Sequence, residues 1–173
     1  MNIEKMLEMQ TQVDAKIMEK VDISSSDLEG NLYLALLVEM GEFANEIQDF
    51  KHWKHSKVVD MSKVKDELAD CLAFTLALLN HNNITIEQDE FEENLEELNN
   101  IVELRNNMKD DRLGSTFSLF ESIYELGNDM DLRSLLHEFI VFGNLALGLS
   151  LDEIEEAYMA KAKINMERQE EGY

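Results

Sequence analysis

An all-α helical bundle is the fold class the sequence predicts, on three observations. Apolar residues recur every three or four positions along most of the 173-residue chain, proline is absent, and only seven glycines occur. Proline removes a helix hydrogen bond and clashes with the preceding turn, so its absence permits long helices. The period is that of helices and not the alternation of strands. A single domain with one core, spanning residues 1–173, is expected at this length.

The elements follow in order. A first helix is expected from about Asn2 to Lys20, with Ile3, Met6, Leu7, Val13 and Ile17 on one stripe. VDISSSD ends it, and Ser25 or Ser26 can cap the second helix by accepting a free amide of its first turn. The second helix extends to about Phe50 and gives way to a basic connection, KHWKHSKVVDM. Ser62 caps the third, KVKDELADCLAFTLALLN, which HNNIT ends. An acidic helix covers Glu87 to Met108, and KDDRLGS breaks the chain after it. Two more helices centre on FSLFESIYEL and LRSLLHEFIVFGNLAL. Gly148 is placed to close the latter, and Ser150 with Glu153 forms a capping box for a last helix to about Glu171.

The formal net charge of −22 sets the class of partner. It repels DNA, RNA and anionic membranes at long range. A phosphate compound remains compatible, provided local Lys and Arg or metal ions stand between two acidic bodies. No apolar run reaches the length that crosses a bilayer. The opening MNIEKMLEMQ lacks the basic-then-apolar layout of a signal peptide, and the lone Cys71 suits a reducing compartment. A cytoplasmic setting is expected.

The informative motif is acidic. On the second helix Glu39, Glu42 and Glu46 fall at spacings of three and four on a face shared with Leu32, Ala35, Leu36, Phe43 and Phe50. On the third, Glu67 and Asp70 share a face with Val64, Leu68, Cys71, Phe74 and Leu78. If the two helices pack antiparallel, Glu39, Glu42, Glu67 and Asp70 converge. Buried like charges are costly unless paired or metal-bound, and no Lys or Arg lies on either stripe, so a divalent cation is the natural neutraliser. An all-oxygen donor set favours Mg²⁺ or Mn²⁺ over Zn²⁺. The competing reading is chance: the chain holds 37 acidic residues, and Glu90, Glu93 and Glu96 repeat the spacing on what reads as a solvated face.

Two further groups carry polar chemistry. Gln10 and Asp14 lie one turn apart within the apolar stripe of the first helix. A buried amide can read a nucleobase edge through its paired donor and acceptor, or it can be a satisfied core residue. Tyr158, Lys161, Asn165 and Arg168 follow one face of the last helix. Lys and Arg suit phosphate oxygens, although cations are also favoured near any helix C-terminus. Lys51, Lys54 and Lys57 form a second basic group beside Trp53, which either stacks on a ligand or packs in the core.

Taken together, MLEMQTQVDAKI, EMGEFANEIQDFKHWK, KDELADCLAFTLALL and GLSLDEIEEAYMAKAKINMERQEEGY resemble the dimeric all-α dUTP diphosphatases, within the MazG-like nucleotide pyrophosphohydrolases. The resemblance implies hydrolysis of dUTP, and of dUDP, to dUMP, with attack at the β-phosphorus and Mg²⁺ as cofactor. It implies Glu39, Glu42, Glu67 and Asp70 as metal ligands, with Glu39 also activating the attacking water. Gln10 would read uracil; Trp53 and Phe74 would line the base and sugar pocket, with Asn80 near it. Lys161, Asn165 and Arg168 would contact phosphates, with Lys54 as a further candidate. Glu46, Asp14 and Tyr158 would support them. A homodimer is implied, and a regulatory protein partner is compatible with the family. The sequence departs from the family pattern at Ala162, Ala73 and Asp14. Two rivals stay open: a related enzyme acting on another nucleotide such as dCTP, and a non-catalytic helical interaction module.

Overall fold

The computed structural model describes residues 1–107 and 131–172. These form α1 (Ile3–Met18), α2 (Ser25–Ile47), α3 (Met61–His81), α4 (Gln88–Asn107), α5 (Leu132–Val141), a π-helical turn (Phe142–Ala146) and α6 (Leu151–Glu171). No strand occurs among the described residues, and none of their helices is long and apolar enough to cross a membrane. The expected helix around FSLFESIYEL lies outside the described residues.

α3 is the central element. Between Leu68 and Leu79 every residue is buried except Asp70 and Phe74. α1, α2, α5 and α6 all pack on it. Leu36, Met40, Phe43 and Ile47 of α2 meet Leu68, Leu72, Leu76 and Leu79 of α3 in one core, with Phe139 and Ile140 of α5 and Ile154 and Tyr158 of α6. Burying one such side chain stabilises the fold by about 1.5–3 kcal/mol, so this core dominates. α2 and α3 run antiparallel. Ser25 approaches His81 at the start of α2, and the charges of Glu39 and Asp70 meet farther along it. α1 and α6 run side by side in the same direction, with Lys5 on Glu155, Gln10 on Tyr158 and Lys16 on Glu170.

The helix ends follow capping chemistry, with three shifts from the sequence expectation. α2 is capped by Ser24, not Ser25 or Ser26; its side chain accepts from Asp27 N. α3 is capped by Asp60, whose carboxylate takes both the amide and the hydroxyl of Ser62. A charged acceptor at the cap outcompetes a neutral hydroxyl two residues on. α2 stops at Ile47 and not at Phe50, because Gln48 turns left-handed at φ 63°. Gln48 is then fixed by its own amide, which donates to Val58 O at 2.8 Å and accepts from Lys54 at 2.9 Å. The capping box of Ser150 and Glu153 on α6 is present as expected, and Gly148 takes a left-handed φ of 72°.

LRSLLHEFIVFGNLAL does not form one α-helix. α5 ends at Val141 and the chain widens into the π turn, where Leu147 N bonds Phe142 O at 3.2 Å. The turn is closely packed at Gly143. A Cβ there would stand 2.9 Å from Leu68 Cδ2 and 3.0 Å from Ile154 Cδ1. Any larger residue would have to displace those two side-chain ends.

Candidate active site

The two residues that interrupt the buried run of α3, Asp70 and Phe74, extend into a line along one face. Glu67, Asp70, Phe74, Ala77 and Asn80–His81 follow at helical spacing and so share one face of α3. At one end of this face lies an acidic group shared with Glu39 of α2; at the other lies a cavity.

At the acidic end, Glu39, Glu67 and Asp70 each offer an oxygen within 4.8 Å of the other two, and all three are half-buried. Mutual repulsion and burial show in their proton affinities. Burial, then the charges of Asp70, Glu42 and Glu67, push the Glu39 carboxyl up to about 7, against the pull of Lys161. Glu67 is raised by burial and then by Glu42 and Asp70. Asp70 is raised by burial, with Lys161 opposing. Carboxylates that hold protons this tightly are poorly solvated and crowded by like charge. The donor set is all oxygen, and three carboxylate oxygens this near one another can share one small cation. The residues therefore fit a hard divalent cation. Glu42 is exposed and outside this close group, although its charge acts on Glu39 and Glu67. Glu46 lies a further turn along α2, half-buried and also outside it.

The stripes of α2 and α3 carry no Lys or Arg, as the sequence showed, yet a cation from another helix reaches the acids. Lys161, arriving from α6, puts its Nζ 2.5 Å from Asp70 and 3.0 Å from Asp66. Neither stripe carries a cation of its own; the third helix brings one. Asn165 and Arg168 follow Lys161 on α6, half-buried and exposed respectively, and the Arg168 charge also acts on Asp70. Ala162, one of the departures from the family pattern, is buried in the core.

At the other end, a cavity of about 290 Å³ is lined by residues of three helices, among them Asp14 and Ile17 of α1, Leu28 and Leu32 of α2, and Asn80 and His81 of α3. The volume lies near the lower bound for small-ligand pockets, roughly 300 Å³, and the lining is apolar with a few polar groups. Leu32 precedes Glu39 by two helical turns, so cavity and carboxylates are about 10 Å apart along α2. Phe74 stands between them on α3.

Gln10 is placed by α1 but does not line that cavity. It is 5% exposed and held at both ends: Tyr158 Oη donates to its Oε1 at 3.0 Å, and its Nε2 donates to Asp14 at 2.7 Å. The polar face that reaches the cavity is Asp14 with Asn80, whose amide also donates to Leu7 O at 3.3 Å. Burial raises the Asp14 carboxyl, while the Gln10 and Asn80 amides oppose the shift.

Trp53 and Lys54 lie on the connection after α2. Trp53 is 60% exposed, edge-on to Phe50 and His52, and is not a core residue. The lysines around it serve the end of α2: Lys51 donates to Asn45 O and Lys57 to Asp49 O, where the helix dipole favours cations. Lys54 is tied to Gln48. Sequence reading missed Asp66, Thr11, Leu28 and His81. The i, i+4 spacing of Asp66 and Asp70 signalled the first; the others depend on which faces pack.

A family model described as dUTPase matches residues 2–173. No curated protein matches the chain.

Proposed function

The chain belongs to the dUTPase family, and from that premise we propose that it hydrolyses dUTP to dUMP and pyrophosphate in a Mg²⁺-dependent reaction. The observation that supports this most is that the three-carboxylate group and the cavity both lie where α2 and α3 meet, about two helical turns apart along α2. A nucleoside in the cavity would direct its phosphate chain past Phe74 toward Glu39, Glu67 and Asp70.

Mg²⁺ held by Glu39, Glu67 and Asp70, with Glu42 closing from the rim, would supply charge to the phosphate oxygens and lower the pKa of a bound water. Mn²⁺ would substitute. The protein's own residues do the rest by positioning. Glu39 orients the attacking water toward the β-phosphorus and accepts its proton. Lys161, Asn165 and Arg168 line up on α6 to meet phosphate oxygens, and Lys54 joins them on releasing Gln48. Asp14 and Asn80 offer hydrogen bonds to the nucleoside; Gln10, its amide already held by Tyr158 and Asp14, stands behind them and orients Asp14, and does not meet the base itself. Trp53 follows the far end of α2, about 22 Å along the helix from Leu32, so it does not cover a base held in this cavity by the same chain. Glu46 supports the acids from the next turn. dUDP shares every feature this geometry uses and is a second substrate.

The family match spans nearly the whole chain, which supports one catalytic domain. Exposed Leu34 and Val38, one turn apart on α2, support a homodimer. Light scattering after size exclusion tests that state. A panel of dUTP, dUDP, dCTP and dTTP with Mg²⁺, read by product chromatography, tests the substrate. Fast dCTP turnover beside slow dUTP turnover would replace this reading with that of a related pyrophosphohydrolase.

A further inference from the structure

Lys161 is held by two carboxylates at once. Its Nζ lies 2.5 Å from Asp70 Oδ2 and 3.0 Å from Asp66 Oδ2. Asp66 and Asp70 are one turn apart on α3, so both point toward α6. Their surroundings differ. Asp70 belongs to the carboxylate group and is 16% exposed; Asp66 lies outside the group and is 56% exposed. The lysine is only 11% exposed. Its stem is confined because Tyr158 and Ala162, beside it on α6, are buried.

A divalent cation entering the group needs the Asp70 charge that Lys161 now engages. With no second anchor, the ammonium would stay and compete, or swing into solvent away from the phosphates. Asp66 removes that choice. It offers a carboxylate one turn from Asp70, about 6 Å along the axis, which is within the sweep of a lysine side chain.

From this geometry we infer that Asp66 is a positioning residue, which retains Lys161 beside the carboxylate group when a cation takes Asp70. It thereby frees Asp70 for the cation and keeps the ammonium where substrate phosphate arrives. The phosphate half rests on the dUTPase reading; the cation half rests on the ion-pair geometry alone.

The test is a double-mutant cycle on Mn²⁺ affinity, measured by calorimetry on the full chain without nucleotide. Asp66→Asn leaves Lys161 on Asp70 alone and weakens Mn²⁺ binding by roughly two- to five-fold, the upper part of the range for one charged pair near the surface. Lys161→Met tightens it. In the Lys161→Met background, Asp66→Asn has no further effect, and Asp66→Glu in the parental background binds as the parent does. Steady-state kinetics give a parallel readout: Asp66→Asn raises KM for dUTP more than it lowers kcat. If Asp66→Asn weakens Mn²⁺ binding equally in both backgrounds, Asp66 acts only through its own charge and the inference is overturned. A parent that shows the cycle but turns over no dUTP keeps the Asp66–Lys161 coupling and removes the substrate reading. A parent that turns over dUTP without the coupling overturns this inference alone.

Discussion

The Tyr158 phenol bridges two helices: it lies 3.0 Å from both Met6 O and Gln10 Oε1, so one residue of α6 fixes the backbone of α1 and the orientation of its buried amide. Tyr158 is fully buried, and burial raises its hydroxyl well above the usual range, so it remains a donor at any working pH. Tyr158→Phe keeps the ring and removes the donor. The one hydroxyl proton shared by Met6 O and Gln10 Oε1 is then missing, at a cost of about 1–3 kcal/mol in thermal unfolding. Gln10 also loses an anchor, so KM for dUTP rises while kcat changes little. A variant with parental stability and KM would show the bridge to be incidental.

Trp53 is the chain's only tryptophan, so its fluorescence reports on one place. It is exposed and contacts Phe50 and His52. Trp53→Ala is expected to leave stability within about 0.5 kcal/mol, as for surface substitutions generally. Within one chain the ring stands away from the cavity, so saturating dUMP should leave the emission of the parent unmoved, and Trp53→Ala should leave KM unchanged. A dUMP-dependent change of emission would bring Trp53 into the site.

Gly143 tests the packing around the π turn. Alanine there drives its Cβ against Leu68 and Ile154, both fully buried or nearly so. Overpacking of this kind costs about 1–3 kcal/mol. Gly143→Ala should lower the unfolding midpoint, and Gly143→Ala with Leu68→Ala should recover part of the clash term in a double-mutant cycle.

The start of α6 gives a pH dependence. The Lys65 ammonium, then the Ser150 amide and hydroxyl, hold the Glu153 carboxyl down to about 2. The folded state thus binds this proton less tightly than the unfolded state, whose value is near 4.5. The stabilisation is full above about 4.5 and is lost as pH falls toward 2. Glu153→Gln removes the ion pair with Lys65 and should flatten this acid limb in a plot of midpoint against pH. The pair is exposed to solvent, so high salt should shrink the difference.

Much of the fold was legible because its signals are local. The apolar period placed the helices that the structure describes, and Ser150 with Glu153 announced the start of α6. Where several capping residues adjoin, as in SSSD before α2 or DMS before α3, the sequence does not rank them; hydrogen-bond geometry does. The end of α2 was misplaced because Gln48 adopts a left-handed conformation that usually signals itself as Gly or Asn. The π turn left no local signal, and the packing of Gly143 on Leu68 and Ile154 that accompanies it is tertiary. The site divides the same way. The Glu and Asp spacings on α2 and α3 pointed to a shared acidic centre, since each pair lies on one helix. The Lys161 bridge to Asp66 and Asp70 joins residues about ninety apart in the chain, and only packing of α6 on α3 brings them together.

The most direct measurement is pyrophosphate release from dUTP, with and without Mg²⁺, by the parent and by Glu39→Gln. The parent should turn over only with the cation. The variant should fold with a similar midpoint and lose about 100-fold or more in kcat, the range for removing a general base. Turnover by Glu39→Gln at the parental rate, or metal-independent turnover by the parent, would contradict the carboxylate-centred account.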